Sequence, residues 1–549
     1  MTRPTVSDAR GWQPHSLREA AVNWQAAAMD IHADIDMTVQ GVAGTRKVWV
    51  GSAAEAARAE VLMVGRASDA LSRAMVLAAV AAADAADQIT IARAEVLDLV
   101  STAESAGFAV ADDGTVSVHD APTPLLVALS GGDTEVAGDL LTMRADELSR
   151  QIADALDRLG AADADAAHDI EEAFATPSLR PAATTAAAAA LPDDLVVGWP
   201  VMSQDRIAAQ IAALTPEQRE GLIAAFPRQV GNTDGVPWEM RIAANRTNIA
   251  QAVLDESDPH RQAFYRTLLG EVDDPTGGGR RVDRQIIAFD PARASLIELN
   301  GDLATAKSVA VLVPGMNTTI EGSAANTGTA RRFVAGGRGD VAVLTYLGGP
   351  FPRGNLVSGV VDAASPRYAL DMAPRLVAFS EDVDRTVDAR AAMAARAARE
   401  TMDARAAEAP DGAPVPVTYI GHSYGGSILG TAEAMGLTAD QTMYVAAAGA
   451  GVGVEDPGDW HNRNPRVLRY SMTAPGDLIQ AVQGIPGGPH GADPDEMAGV
   501  IRLATGHYDD GRVMAGWDAH SDILNSPSDS WRNILAVITG DRERIQPAG

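Results

Sequence analysis

Residues 421–425 read Gly-His-Ser-Tyr-Gly, and their surroundings constrain the chain more than any other segment does. Before them, Val415-Pro416-Val417-Thr418-Tyr419-Ile420 reads as a short buried strand. After them, Ser427 to Met435 reads as a helix. A strand that turns into a helix within so few residues needs a backbone too sharp for ordinary side chains, and Gly421 and Gly425 remove the side chains that would clash. The serine between them must sit at strained angles, with its hydroxyl lifted above the end of the sheet and the first amides of the next helix aimed at the same point. Ser423 is therefore the candidate nucleophile, and the architecture to expect is α/β.

A serine hydroxyl needs a base to take its proton, and the base needs a third group to orient it. In folds built on this elbow the acid and then the histidine follow the serine in chain order. Gln441 to Ala448 and Arg466 to Met472 read as the next two strands, and the second runs into Thr473-Ala474-Pro475-Gly476-Asp477. Asp477, in a Pro-Gly turn just past a strand end, is the candidate acid; Asp493 and Asp495 are further carboxylates in the same stretch. Two histidines follow. His507 sits in a polar turn after Val500–Ala504, the expected last strand, and His520 precedes the expected final helix, Ser530–Thr539. His520 is the favoured base because it lies nearer that helix. An oxyanion would need two backbone N–H groups. Tyr424, directly after the nucleophile, supplies one. The other is expected at Met316, in the Pro314-Gly315-Met316-Asn317 turn that ends the apolar run Ser308–Val313; Gly315 would let backbone approach substrate, and the Asn317 amide is a further donor.

Taken together, Val-Pro-Gly-Met-Asn-Thr-Thr from Val313, the elbow, the Ala-Pro-Gly-Asp turn and Ala519-His520-Ser521-Asp522 resemble an actinobacterial α/β-hydrolase family described as a domain of unknown function. The run Leu214-Thr215-Pro216 through Val230-Gly231-Asn232, Asp234-Gly235-Val236-Pro237 and Arg241 to Asn245-Arg246 resembles the segment that precedes the hydrolase core in that family. The resemblance covers about residues 195 to 540. It implies an α/β-hydrolase fold, a mostly parallel sheet flanked by helices, a serine triad, and no metal or cofactor. An ester is the expected substrate by analogy with the fold. An amidase, a peptidase or an acyltransferase is the alternative enzyme reading.

The first part of the chain differs in kind. Leu17, Ala20, Ala21, Trp24, Ala28, Ile31 and Ile35, then Ala54, Ala57, Val61, Val64, Ala67, Leu71 and Met75, recur at helical spacing and predict two amphipathic helices packed on each other. Ser52 is the expected N-cap of the second, with Glu55 at the capping-box position. Trp49-Val50-Gly51 between them resembles the Trp-x-Gly hairpin of type VII secretion substrates, which implies a helical protein partner and an export route. It also implies a non-enzymatic alternative, an interaction protein with a vestigial hydrolase fold. Residues 107–119 alternate and predict a β-hairpin around Asp113-Gly114, Asp139–Leu159 predicts a further helix, and residues 365–409 predict a long helix before the elbow strand. The domains expected are a separate helical domain over 1–175, an Ala/Pro-rich linker over 176–194, a helical lead-in over 195–300 and the catalytic domain over 301–540.

Asp and Glu number 73 against 44 Lys and Arg, a net charge of −29, which argues against nucleic-acid and anionic-membrane partners. The chain has no cysteine, hence no disulfide, thiolate nucleophile or Cys-bound zinc. The histidines are not at metal-ligand spacing, so neither metal nor cofactor is expected. No conventional signal peptide and no transmembrane segment are read, leaving a cytoplasmic location or export by a type VII route. The expected partner is a small-molecule or lipid-like ester.

Overall fold

Alanine at one helical face lets two helices approach closely, and the first part of the chain uses this. Helices His15–Gly44 and Ser52–Ser105 form a long hairpin, and Thr134–Phe174 packs along the second. The computed structural model describes residues 3–119, 121–175, 195–354, 363–401, 415–483, 485 and 487–548. The whole of the expected linker, 176–194, and residues 402–409 of the expected long helix lie outside them. Ala85, Ile89, Val96, Leu148, Ile152 and Leu156 fill the core between the helices, with β1 (Phe108–Val110) and β2 (Val116–Val118) forming the hairpin expected around Gly114. The N-cap of Ser52–Ser105 is not Ser52 but Gly51, whose φ of 112° only glycine adopts readily, and no side chain caps the helix. At this turn Trp49 is half exposed, with the Arg58 guanidinium 5.9 Å from its ring and donating to its carbonyl at 2.6 Å.

One window of Ser52–Ser105 is long and apolar enough to cross a membrane by length and composition, with a mean hydropathy of 1.5. Its apolar character comes largely from alanine and not from an unbroken run of large apolar side chains, and 44% of the window is buried.

The chain divides into two compact units, Met1–Ala186 with Ala250–Gly270, and Ala187–Ile249 with Glu271–Gly549. The boundary is less simple than a lead-in ending at 300. Residues 250–270 join the helical unit, where Gln251 accepts from Arg73 at 2.8 Å and Asp255 lies 3.3 Å from His32.

In the second unit, a small ribbon of β3 (Glu271–Asp273) and β4 (Arg281–Asp283) precedes an eight-stranded sheet. Its strands are β5 (Gln285–Asp290), β6 (Ser295–Asn300), β7 (Ser308–Val313), β8 (Val341–Leu347), β9 (Val417–His422), β10 (Gln441–Val445), β11 (Leu468–Met472) and β12 (Val500–Arg502). The spatial order is β12-β11-β10-β9-β7-β8-β6-β5, parallel except where β6 meets β5 and β8. The sheet thus begins before residue 301. Strands β7, β8 and β10 are buried along their whole length, as expected where helices cover both faces of a parallel sheet. On one face Leu312, Val343, Ile420, Met443 and Met472 pack against Phe333, Ile534 and Val537, and Phe333 stacks on Trp531 at 5.3 Å.

The lead-in motif has a packing explanation. Arg241 is buried; its Nη1 donates to Asp382 at 2.8 Å and Asp234 at 2.9 Å, and its Nε to the Ile287 carbonyl at 2.9 Å. Asp382, in the long helix Arg367–Thr401, also accepts from the Gly235 N–H and the Trp238 indole, both at 2.8 Å. Asn245 bonds the carbonyls of Gly231 and Ile286. A Cβ on Gly231 would fall 2.3 Å from Asn245 Oδ1. These residues bolt the lead-in to the sheet by satisfying a buried ion pair and the backbone around it.

Candidate active site

Strand β9 delivers the chain into the elbow. Ser423 has φ 56° and ψ −123°, a conformation that costs a non-glycine residue on the order of 1–3 kcal/mol. Its surroundings hold it there. The Ser423 N–H donates to the Val445 carbonyl at 3.1 Å, and the Ser423 carbonyl accepts from Gly426 at 3.0 Å and Ala448 at 2.9 Å. The glycines are there for close packing. A Cβ on Gly421 would lie 2.6 Å from the Gly425 carbonyl oxygen, and one on Gly425 2.1 Å from that of Val313. A Cβ on Gly426 would lie 2.3 Å from the Ala447 methyl. Ala446, at φ 42°, is a second strained residue directly beside the elbow.

Strands β7 and β9 pair in parallel with Val313 opposite Gly421, which brings the Pro314–Asn317 turn alongside Ser423. Gly315 is needed against the serine itself: a Cβ there would sit 2.7 Å from Ser423 Cβ and 3.1 Å from its Oγ. Among the described residues the Met316 N–H meets no acceptor. Asn317 does something other than expected. At φ 62° it exchanges hydrogen bonds with Gly354, donating from Nδ2 at 3.0 Å and accepting at Oδ1 at 2.9 Å, and its N–H donates to Pro352. Its amide thus fixes the turn against residues 352–354. Tyr424 opens the helix Tyr424–Ala434, and its buried phenol donates to the Ser365 carbonyl.

Asp477 and His520 lie beyond the same ends of β11 and β12. His520 Nδ1 is 2.9 Å from Asp477 Oδ2 and 3.0 Å from Oδ1. The Asp477 side chain is 1% exposed and that of His520 28%, so the acid is shielded and the base reachable. A carboxylate only accepts, so Nδ1 carries the proton and Nε2 is left basic. Asp477 Oδ1 also accepts from the Ile479 N–H at 2.9 Å. His520 stands on a short helix, Ala519–Asn525, rather than in open loop.

The other candidates, His507, Asp493 and Asp495, have different partners. His507 is exposed, 3.7 Å from Asp529. Asp493 accepts from the Asp495 N–H, and burial raises its carboxyl above the ordinary value. Asp495 is 3.6 Å from Arg502. His490 is buried, with Nδ1 2.9 Å from Ser427 Oγ and Nε2 donating to Ala363 at 2.7 Å; burial lowers its pKa and keeps it neutral.

One site residue was not anticipated. His422 Nε2 donates to the main-chain carbonyl of His520 at 2.8 Å, and the two rings lie 5.0 Å apart. Burial, reinforced by the neighbouring His520, pushes the His422 pKa down to about 4. The only sequence signal was the histidine inside the elbow motif, whose partner lies 98 residues downstream. A cleft of about 330 Å³ lined by Asp384, Asp440, Arg463 and Arg466 lies at the Val417 end of β9, opposite Ser423, and holds none of the candidate residues. In open α/β sheets ligands bind beyond the carboxyl ends of the strands, where the Ser423 group sits.

The chain resembles two uncharacterized proteins of Mycobacterium tuberculosis, Rv2079 and MT2140, each 26% identical over 41% of this chain. The match spans 36% of the length of these curated relatives. No solved structure matches the chain. Neither comparison supports the resemblance of the Trp49 turn to type VII hairpins. Residues 290–486 match the family model described as alpha/beta hydrolase, and with the mostly parallel eight-stranded sheet around them they make the C-terminal part of this chain an α/β-hydrolase domain.

Proposed function

We propose that the chain is a serine hydrolase that cleaves carboxylic esters through an acyl-enzyme. Ser423 Oγ attacks the acyl carbon while His520 Nε2 takes its proton. The C–O bond to the leaving alcohol breaks as His520 returns that proton to the alcohol oxygen. Water then repeats the sequence and releases the acid. Asp477 holds the His520 tautomer and stabilises its charged form, and the Met316 and Tyr424 amides receive the oxyanion.

The observation that carries this reading is the Asp477–His520 pair, tied by the His520 carbonyl to His422, the residue next to the strained serine. A structural turn would need the glycines but not a shielded acid bonded to a reachable histidine at the same end of the sheet. The preference for ester over amide rests on analogy with the fold. Purified chain incubated with p-nitrophenyl esters of graded acyl length is expected to release p-nitrophenol in a Ser423-dependent way. Release no faster than with the Ser423→Ala variant for every ester would reject the reading.

A further inference from the structure

We infer that His422 is a positioning residue, whose imidazole N–H holds the main chain of His520 against the elbow and so sets the separation of base and nucleophile. The inference rests on the proposed roles of Ser423 and His520. It names a device that the elbow motif does not require, since the position before the serine is unrestricted in Gly-x-Ser-x-Gly.

His520 must present Nε2 to Ser423 at hydrogen-bond reach. Among the described residues its side chain is hydrogen-bonded at one point, Nδ1 against Asp477. That bond fixes the tilt of the ring but not the distance of its backbone from the serine. The supporting helix, Ala519–Asn525, is only seven residues long and follows a loop in which the His520 N–H reaches back to Trp517 at 3.2 Å. The second fixed point comes from His422. It is the last residue of β9 and adjoins Ser423, whose N–H and carbonyl are both tied to residues 445–448. A bond from this ring to the His520 carbonyl, 2.8 Å long, connects the hydrogen-bonded elbow to the element that carries the base. The carbonyl only accepts, so His422 is protonated on Nε2. Its lowered pKa keeps it neutral at neutral pH, so it does not add a second positive charge beside the imidazolium that forms on His520 during acyl transfer.

Glutamine places an amide nitrogen the same number of bonds from Cβ as His Nε2; asparagine is one bond short. The test compares His422→Gln and His422→Asn in the full chain, with the Ser423→Ala variant alongside, on a p-nitrophenyl ester. We expect His422→Gln to keep kcat within about threefold of the parent. His422→Asn should lose roughly tenfold to a hundredfold in kcat with KM within about twofold, the scale of a misplacement near 1 Å. Parent-like kcat in His422→Asn, or equal losses in both variants, overturns the inference. Hydrolysis that survives in Ser423→Ala overturns the underlying reading instead. Should the variants fail to fold, ¹⁵N imidazole spectra of the unaltered chain decide the matter: the inference requires His422 to carry its proton on Nε2, and an Nδ1–H tautomer refutes it.

Discussion

His520 Nδ1 and Asp477 Oδ2 stand 2.9 Å apart across 43 residues of sequence, and the acid is shielded from solvent while the imidazole is not. Asp477→Asn should preserve the fold, because the new side chain keeps an oxygen for the Ile479 N–H. It would also favour the wrong His520 tautomer, and kcat for ester hydrolysis should fall by about 10⁴. The matched control is His507→Ala, which removes an exposed ring paired with Asp529 and should stay within about twofold of the parent rate. Steady-state kinetics on one ester checks both; a larger loss at His507 would move the base.

Gly315→Ala tests the packing of the oxyanion turn against the nucleophile. The added methyl would lie 2.7 Å from Ser423 Cβ, so the Pro314–Asn317 turn or the elbow must shift. Overpacking of this kind costs roughly 1–3 kcal/mol. Since the shift falls on the reacting atoms, kcat should drop by about a hundredfold. Urea unfolding and kinetics on the same sample separate the two effects, and a variant with parent kcat would show that Met316 is not placed by this contact.

Arg241→Met should destabilise the second unit by about 3–5 kcal/mol, because Asp382 would keep its buried charge without its strongest partner. Every bond this residue makes is structural, so the folded fraction should retain its kcat. Denaturant titration read together with activity gives the answer, and a loss of kcat at full folding would assign the lead-in a catalytic part.

The pH dependence follows from His422. Folded, its pKa is about 4; unfolded, it is near 6.5. The unfolded chain thus binds more protons between these values, and stability present above pH 6.5 is lost as pH falls toward 4, by on the order of 3 kcal/mol from this group. Carboxylates titrate in the same range, so the comparison that isolates it is the urea midpoint at pH 7.5 and 4.5 for the parent and for His422→Gln. The parent should lose more stability over that interval. Parallel losses would show that His422 is not held neutral.

Much of the hydrolase unit was legible in sequence. Strand β7 stands out because a strand buried on both faces is an unbroken apolar run, and the elbow because no other residue fits where Gly421 and Gly425 pack. Asp477 and His520 were reachable from their positions after strand ends. What was not legible depends on distance in the chain. Strands β5 and β6 follow several helices and join the sheet through antiparallel pairings, so their membership is set by β6 pairing with β8 and β5 with β6, not by local pattern. The Arg241–Asp382 bond spans 141 residues, and that between His422 and His520 spans 98; neither has a periodic signature. The bonds between Asn317 and Gly354 span 37 residues and leave no local signal either.

Every role proposed for the site requires Ser423 to be an activated nucleophile. The most direct test of that activation is to treat the full chain with a fluorophosphonate probe and map the adduct by mass spectrometry, with Ser423→Ala in parallel. One adduct is expected, on Ser423, formed at neutral pH and absent from the folded variant. An adduct on another serine, undiminished labelling of Ser423→Ala, or a folded parent chain that never labels would contradict it.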